Sequence, residues 1–219
     1  MSRRAIGWAV GIVIVAAAVI AFYTLYSKSA AHSSERPPEN PKSLSAIAQE
    51  TQEGTREERA AAVKRVSPQV AATIKDASAP VAERMSALEL ARDADGPEIV
   101  PALKTAAEDE DAIVRAAAVS TLAAKDVDGA LPALLKAAKD EDVNVRRATV
   151  HALAKQDGKE ALAALVQLLG DEDSLVRKVA SNALKQKTQQ DFGYQYFAFA
   201  TKREAAVEKW RMWLASHEE

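Results

Sequence analysis

A spacing of 31 residues governs this chain. Asp111-Ala-Ile-Val-Arg115 recurs as Asp142-Val-Asn-Val-Arg146 and again as Asp173-Ser-Leu-Val-Arg177, and Arg84 lies one period before Arg115. Three positions after these arginines stand Ala87, Ala118, Thr149 and Ala180, and seven positions after them stand Ala91, Leu122, Leu153 and Leu184. Offsets of 0, 3 and 7 fall on one face of an α-helix. A second helix follows in each unit, where Ile99-Val-Pro-Ala-Leu103 recurs as Ala130-Leu-Pro-Ala-Leu134 and as Ala161-Leu-Ala-Ala-Leu165. Pro101 and Pro132 are tolerable there because the first helical turn has no intrahelical acceptor for its amides. Asp95-Gly96, Asp128-Gly129 and Asp157-Gly158 supply the turns between the two helices. Each unit therefore reads as a hairpin of two helices of about a dozen residues, a length typical of globular helices. Neither helix is stable alone, so the hairpins must stack and share a core.

Upstream, Thr55–Val66 and Pro68–Ile74 read as a diverged first hairpin, and residues 44–53 as a helix preceding it. Divergence is expected of a terminal unit, which turns one face to water. The D-x-x-V-R-x-x-A-x-x-x-L signature, the proline opening the second helix and a period near 30 resemble the HEAT-like repeats of bacterial proteins, including the short repeats of phycobilin lyases. The resemblance covers residues 55–187 and departs at the first unit, where Pro80 replaces the aspartate and Glu83 the valine. It implies an all-α fold, an α-solenoid over residues 44–187 that binds or scaffolds other proteins. It does not imply catalysis.

The arginines share a stripe with small and apolar residues, which puts their stems near the core. Charges buried in this way must be paired. Asp111, Asp142 and Asp173, four positions before Arg115, Arg146 and Arg177, suit helix N-caps. The resemblance implies that these same aspartates, Asp111, Asp142 and Asp173, form with Arg115, Arg146 and Arg177 an internal ladder linking adjacent units, which Arg84 joins. Asp109-Glu110-Asp111, Asp140-Glu141-Asp142 and Asp171-Glu172-Asp173 repeat an identical acidic triplet at the loop entering each first helix. Capping and dipole compensation account for the triplets. A sharper reading is an acidic ridge for a basic partner or divalent cations, although no triplet has a calcium-loop pattern. His151 aligns with Glu89, Ser120 and Asn182 one period apart, the composition of a solvated face. No nucleophile–base pattern, phosphate-binding glycine loop or His-x-x-x-His spacing is present, so no catalytic, cofactor or metal residues are assigned and an enzyme is not expected.

Ala5–Tyr26 is a run of 22 uncharged, mostly apolar residues. As a helix it would span about 33 Å, enough for a hydrocarbon core of about 30 Å. Trp8 at one end and Phe22, Tyr23 and Tyr26 at the other suit an interfacial aromatic belt. The run exceeds the apolar region of a cleavable signal peptide, although Ser29-Ala30-Ala31 would serve as a cleavage site and a secreted product is the alternative. Arg3 and Arg4 of the short tail 1–4 favour a cytoplasmic amino end, with the solenoid on the extracytoplasmic side of an inner or cytoplasmic membrane. Residues 27–43 carry three prolines and no apolar period, the composition of a tether. Of 29 basic residues, Arg3, Arg4 and Lys28 fall in the first 30, leaving 26 against 31 acids, a net charge of −5. That balance argues against nucleic acid, and the absence of cysteine excludes disulfides and thiolate sites.

Aromatic residues are missing between Tyr26 and Phe192, and seven then follow, from Phe192 to Trp213. Residues 188–219 read as a turn at Asp191-Phe-Gly-Tyr194, with Gly193 free to take a positive φ, and a closing helix Thr201–Ser216 with Thr201 as N-cap. Ala206, Trp210 and Trp213, with Val207 and Leu214, form its apolar face. This ending also resembles tails that follow HEAT-like repeats in other bacterial proteins. A cap over the last unit is expected, with Tyr196, Phe197 and Phe199 the exposed remainder available to a partner. The function expected is a membrane-anchored, non-catalytic binding or scaffolding module, or else an accessory subunit or lyase-like chaperone of a cofactor-containing or membrane enzyme.

Overall fold

The small residue three positions after each arginine decides how the helices assemble. Ala87, Ala118, Thr149 and Ala180 are fully buried, as are Ala91, Leu122, Leu153 and Leu184 one turn further on. First helices carrying this stripe can approach one another closely, and in the computed structural model they pack side by side in a row. The structure describes Leu44, Ala46, residues 55–126 and residues 129–217, all within the unit Lys42–Glu219.

Among the described residues the fold is all-helical: α1 (Arg56–Lys75), α2 (Val81–Ala91), α3 (Ile99–Ala106), α4 (Ala112–Lys125), α5 (Leu131–Ala137), α6 (Val143–Leu153), α7 (Lys159–Leu168), α8 (Ser174–Thr188) and α9 (Ala200–Ser216). Helices α2, α4, α6 and α8 form the first-helix row, each against the next; α5, α7 and α9 form the second row. The core between the rows is Leu, Val, Ile and Ala, with Leu103, Leu134 and Leu165 fully buried at equivalent positions of α3, α5 and α7. These are the stacked hairpins of an α-solenoid.

Three details differ from expectation. The stretch Thr55–Ile74, expected as a hairpin, is a single helix: α1 runs unbroken for 20 residues with Pro68 inside it. Proline there removes one backbone hydrogen bond and costs about 3 kcal/mol in a free helix. Packing of Val70, Ala71 and Ile74 against α2 and α3 outweighs that cost, since all three are buried. The second helices are shorter than a dozen residues, with 8, 7 and 10 residues in α3, α5 and α7. Their stability comes from the stack rather than from their length. The closing helix starts at Ala200, one residue early, with Phe199 at the N-cap position and no side-chain cap. Thr201 therefore lies inside the first turn, exposed.

Gly158 enters α7 at φ 99 and Gly193 lies at φ 73, both in the left-handed half of backbone space that glycine favours. Asp128 and the expected anchor 5–26 and tether 27–43 lie outside the described residues, as does most of the helix expected over 44–53, of which Leu44 is buried in the core. No helix among the described residues is long and apolar enough to cross a membrane.

Candidate functional site: the inter-unit ladder and the aromatic end

Each arginine of the 31-residue column staples two consecutive loops. Arg115 donates from Nη1 to the Asp109 and Glu110 carbonyls of its own loop, at 2.8 and 2.9 Å. From Nε and Nη2 it grips both oxygens of Asp140 in the next loop, each at 2.8 Å. Arg146 repeats the pattern one unit on: Nη1 reaches the Asp140 and Glu141 carbonyls, each at 2.9 Å, while Nε and Nη2 hold Asp171 at 2.8 and 3.1 Å. Fork-to-carboxylate pairing of this kind is the strong geometry for an ion pair. It also raises the pKa of both guanidiniums, chiefly through the hydrogen bonds they donate to Asp140 and Asp171. Arg84 starts the column with one contact to Asp109 at 3.0 Å and two carbonyls, of Ala77 and Ala79. Its Nε is buried without an acceptor among the described residues.

The acidic triplets divide their labour. The third residue caps: Asp111 accepts from the Ile113 and Val114 amides, Asp142 from Asn144 and Val145, and Asp173 from Leu175 and Val176. The ladder therefore does not run through Asp111, Asp142 and Asp173 as expected, because their carboxylates are taken by the helix amides. Its rung is the first residue of each triplet, 25 positions after the arginine that reaches it, so Asp109, Asp140 and Asp171 are largely buried and ion-paired. Only the middle residues, Glu110, Glu141 and Glu172, face solvent, and Glu172 still accepts from Arg146 at 3.0 Å. Burial raises the Asp140 pKa, but the hydrogen bonds from Arg115 and the Asp142 amide, with the charges of Arg115 and Arg146, bring it below the ordinary value. Pro80 offers α2 no side-chain cap. Among the described residues no three His, Asp or Glu side chains converge on a possible metal position. A shallow depression of about 370 Å³ between two rungs is lined by Glu108, Asp109, Arg115, Lys136, Asp140 and Glu141. Every one of those charges is paired with another described residue.

A second set of staples went unread in the sequence. Lys125, at the C-terminal end of α4, donates to the Ala94 carbonyl at 2.7 Å and pairs with Asp95 in the turn of the preceding unit. Lys187 does the same from α8 to the Ala154 carbonyl and Asp157. Gln156 occupies the middle position of this column and is buried. The signal was present as Lys125, Gln156 and Lys187 at the same 31-residue spacing, but a column of mixed residue type is harder to see.

The aromatic end divides into a covered and an uncovered part. Trp210 is buried and meets Phe192 edge-on at 4.8 Å and Trp213 at 5.7 Å; Trp213, half-buried, stacks on His217 at 4.3 Å. The buried Tyr194 hydroxyl donates to the Leu169 carbonyl, tying the tail to the end of α7. Burial pushes the Tyr194 phenol above its ordinary pKa, and the charges of Arg177 and Arg203 pull against that shift. Arg177 has no aspartate 25 positions on; its Nε donates instead to the Tyr196 carbonyl at 3.0 Å. Tyr196 is half-buried, its ring edge-on to Phe197 at 5.2 Å and 5.6 Å from the Lys178 ammonium. Phe197 and Phe199 are 71% and 86% exposed. His151 is exposed, as are Glu89, Ser120 and Asn182.

No curated protein matches the chain. Residues 100–185, from α3 into α8, match the family model for HEAT repeats, so this stretch of stapled hairpins is similar to HEAT repeats.

Proposed function

We propose that the chain is a membrane-tethered, non-catalytic scaffold that binds a protein partner, with the aromatic end as its principal contact surface. The similarity of residues 100–185 to HEAT repeats supports an interaction or scaffolding module. The observation that carries the reading is the exposure of Phe197 and Phe199 on a segment held at both sides. Arg177 grips the Tyr196 carbonyl, and Arg203 donates to the Ala198 carbonyl. A cap needs neither phenylalanine in water. Burying each against a partner is worth about 1.5–3 kcal/mol, and exposed aromatics of this kind mark interfaces.

The uncharged run Ala5–Tyr26, with Arg3 and Arg4 before it, supports the anchor and an extracytoplasmic solenoid. The repeated charges support a non-catalytic role, since the arginines and first aspartates are consumed in staples and the exposed His151 has no fixed partner position in the repeat. Affinity capture from detergent-solubilised membranes, using the full chain, tests the reading. A partner retained by the parent and lost on Phe199→Ala is expected. Fractionation of the chain away from membranes would remove the tether, and a co-purifying cofactor enzyme would identify an accessory subunit instead.

A further inference from the structure

Every internal arginine of the ladder receives a carboxylate from the next unit, but the last receives a backbone carbonyl. A carbonyl satisfies Nε alone. Arg177 Nη1 holds the Asp171 and Glu172 carbonyls at 2.8 and 2.7 Å, and Nη2 has no acceptor among the described residues. In the internal rungs that same nitrogen holds Asp140 at 2.8 Å and Asp171 at 3.1 Å. Arg177 is itself only 8% exposed, yet its Nη2 is not among the buried unpartnered atoms, so this donor stands open to solvent at the end of the ladder. Lys178 follows it in α8, over the Tyr196 ring, and Arg203 lies close enough to share the Tyr194 environment. None of these three cations forms an ion pair with a described residue, in a chain whose formal net charge is −2. Phe197 and Phe199 adjoin them.

We propose that this end of the array is a docking site for an acidic, apolar segment of a partner protein, one of whose carboxylates completes the Arg177 rung. The incoming carboxylate takes the place that Asp140 and Asp171 hold inside the array, accepting from Nη2. Lys178 and Arg203 supply the surrounding positive field, and Phe197 and Phe199 receive the apolar side chains beside the carboxylate. The open donor explains why an acid is selected rather than any apolar surface: this end of the array already contains the arginine half of a rung. This inference rests on the binding-module reading and gives it a partner chemistry.

The test is fluorescence anisotropy on the full chain in detergent micelles. The probe is a fluorescein-labelled peptide, blocked at both ends, that alternates aspartate with leucine and phenylalanine; its control carries asparagine for every aspartate. The aspartate peptide should bind at least about ten-fold more tightly than the control, and more weakly as salt rises. Lys178→Glu should weaken it about ten-fold and Phe197→Ala several-fold. Both positions are exposed, so both variants should melt as the parent does. Equal binding of the two peptides, absence of saturation up to about 1 mM, or parental affinity in both variants would overturn the proposal. A membrane partner retained equally by the parent and by both variants would also overturn it while leaving the binding-module reading intact. A self-association that Lys178→Glu abolishes would assign the site to a second copy and overturn the partner named here.

Discussion

Replacing Arg146 by methionine removes one complete staple. Arg146 is 7% exposed and makes five hydrogen bonds, three to the carboxylates of Asp171 and Glu172 and two to the carbonyls of Asp140 and Glu141. Methionine fills much of the volume of the stem, so the loss is electrostatic rather than a cavity. What remains is the Asp171 carboxylate, its side chain 6% exposed, with the Asp173 amide as its remaining donor among the described residues at 2.9 Å. Leaving one member of a buried pair without the other costs about 3–5 kcal/mol. In a domain of this size each kcal/mol moves the melting temperature by about 2–4 °C, so a fall of about 6–20 °C is expected.

The accompanying double variant separates pairing from packing. Asp171→Asn keeps an acceptor for the Asp173 amide but removes the charge, so adding it to Arg146→Met should recover about 1–3 kcal/mol of the loss. The assay is urea denaturation followed by circular dichroism on the parent, both single variants and the double. Lys136→Met serves as the comparison, since its pair with Glu108 is solvent-exposed on both sides and should be worth less than about 1 kcal/mol. A loss below about 1 kcal/mol for Arg146→Met, or four transitions that simply add, would refute the view that the rungs hold the units together.

The remaining predictions concern the ends, the turns and acid. Trp210→Ala should cost about 3–5 kcal/mol and broaden the unfolding transition, because the ring fills the core under α9; a sharp, unshifted melt would remove α9 from the folded array. Gly158→Ala should cost about 1–2 kcal/mol from backbone strain alone, since φ is 99 and the new Cβ meets nothing closer than Glu160 at 3.6 Å; equal stability by chemical denaturation would contradict the turn. The Asp140 carboxyl is held below its ordinary value in the fold. Its contribution is therefore complete above about pH 3.9 and is lost as pH falls through the depressed folded value. Urea midpoints at descending pH should show that loss in the parent, and Asp140→Asn should flatten part of it.

The period, the two-helix unit and the buried stripe were legible because each follows from side-chain spacing along one helix. Contacts between units were less so. Asp111, Asp142 and Asp173 could be assigned to caps from local sequence, whereas the rung made by Asp140 to Arg115 depends on how far one unit is offset from the next. Seen in the sequence, Asp140 and Asp142 are equivalent members of an acidic triplet; in the fold one is an internal salt bridge and the other a cap. Pro68 misled for a related reason, since local sterics favour a break that tertiary packing overrides. The lysine staples cross between units as well, and Gln156 interrupts their column. At the aromatic end the sequence separates Phe197 and Phe199 from the capping rings, but the open Nη2 of Arg177 appears only once every other rung is seen to be filled.

Removing one whole period tests the stack most directly. Deleting residues 112–142 joins Asp111 to Val143 and restores the Asp-x-x-Val-Arg frame, with Arg84 still opposite Asp109 and Arg146 still opposite Asp171. The shortened full chain should keep the parent's ellipticity per residue at 222 nm and unfold cooperatively in urea, at a lower midpoint. Deleting residues 112–127 alone, about half a period, should instead abolish the transition. A 31-residue deletion that unfolds the chain as thoroughly as the half-period deletion would contradict the account.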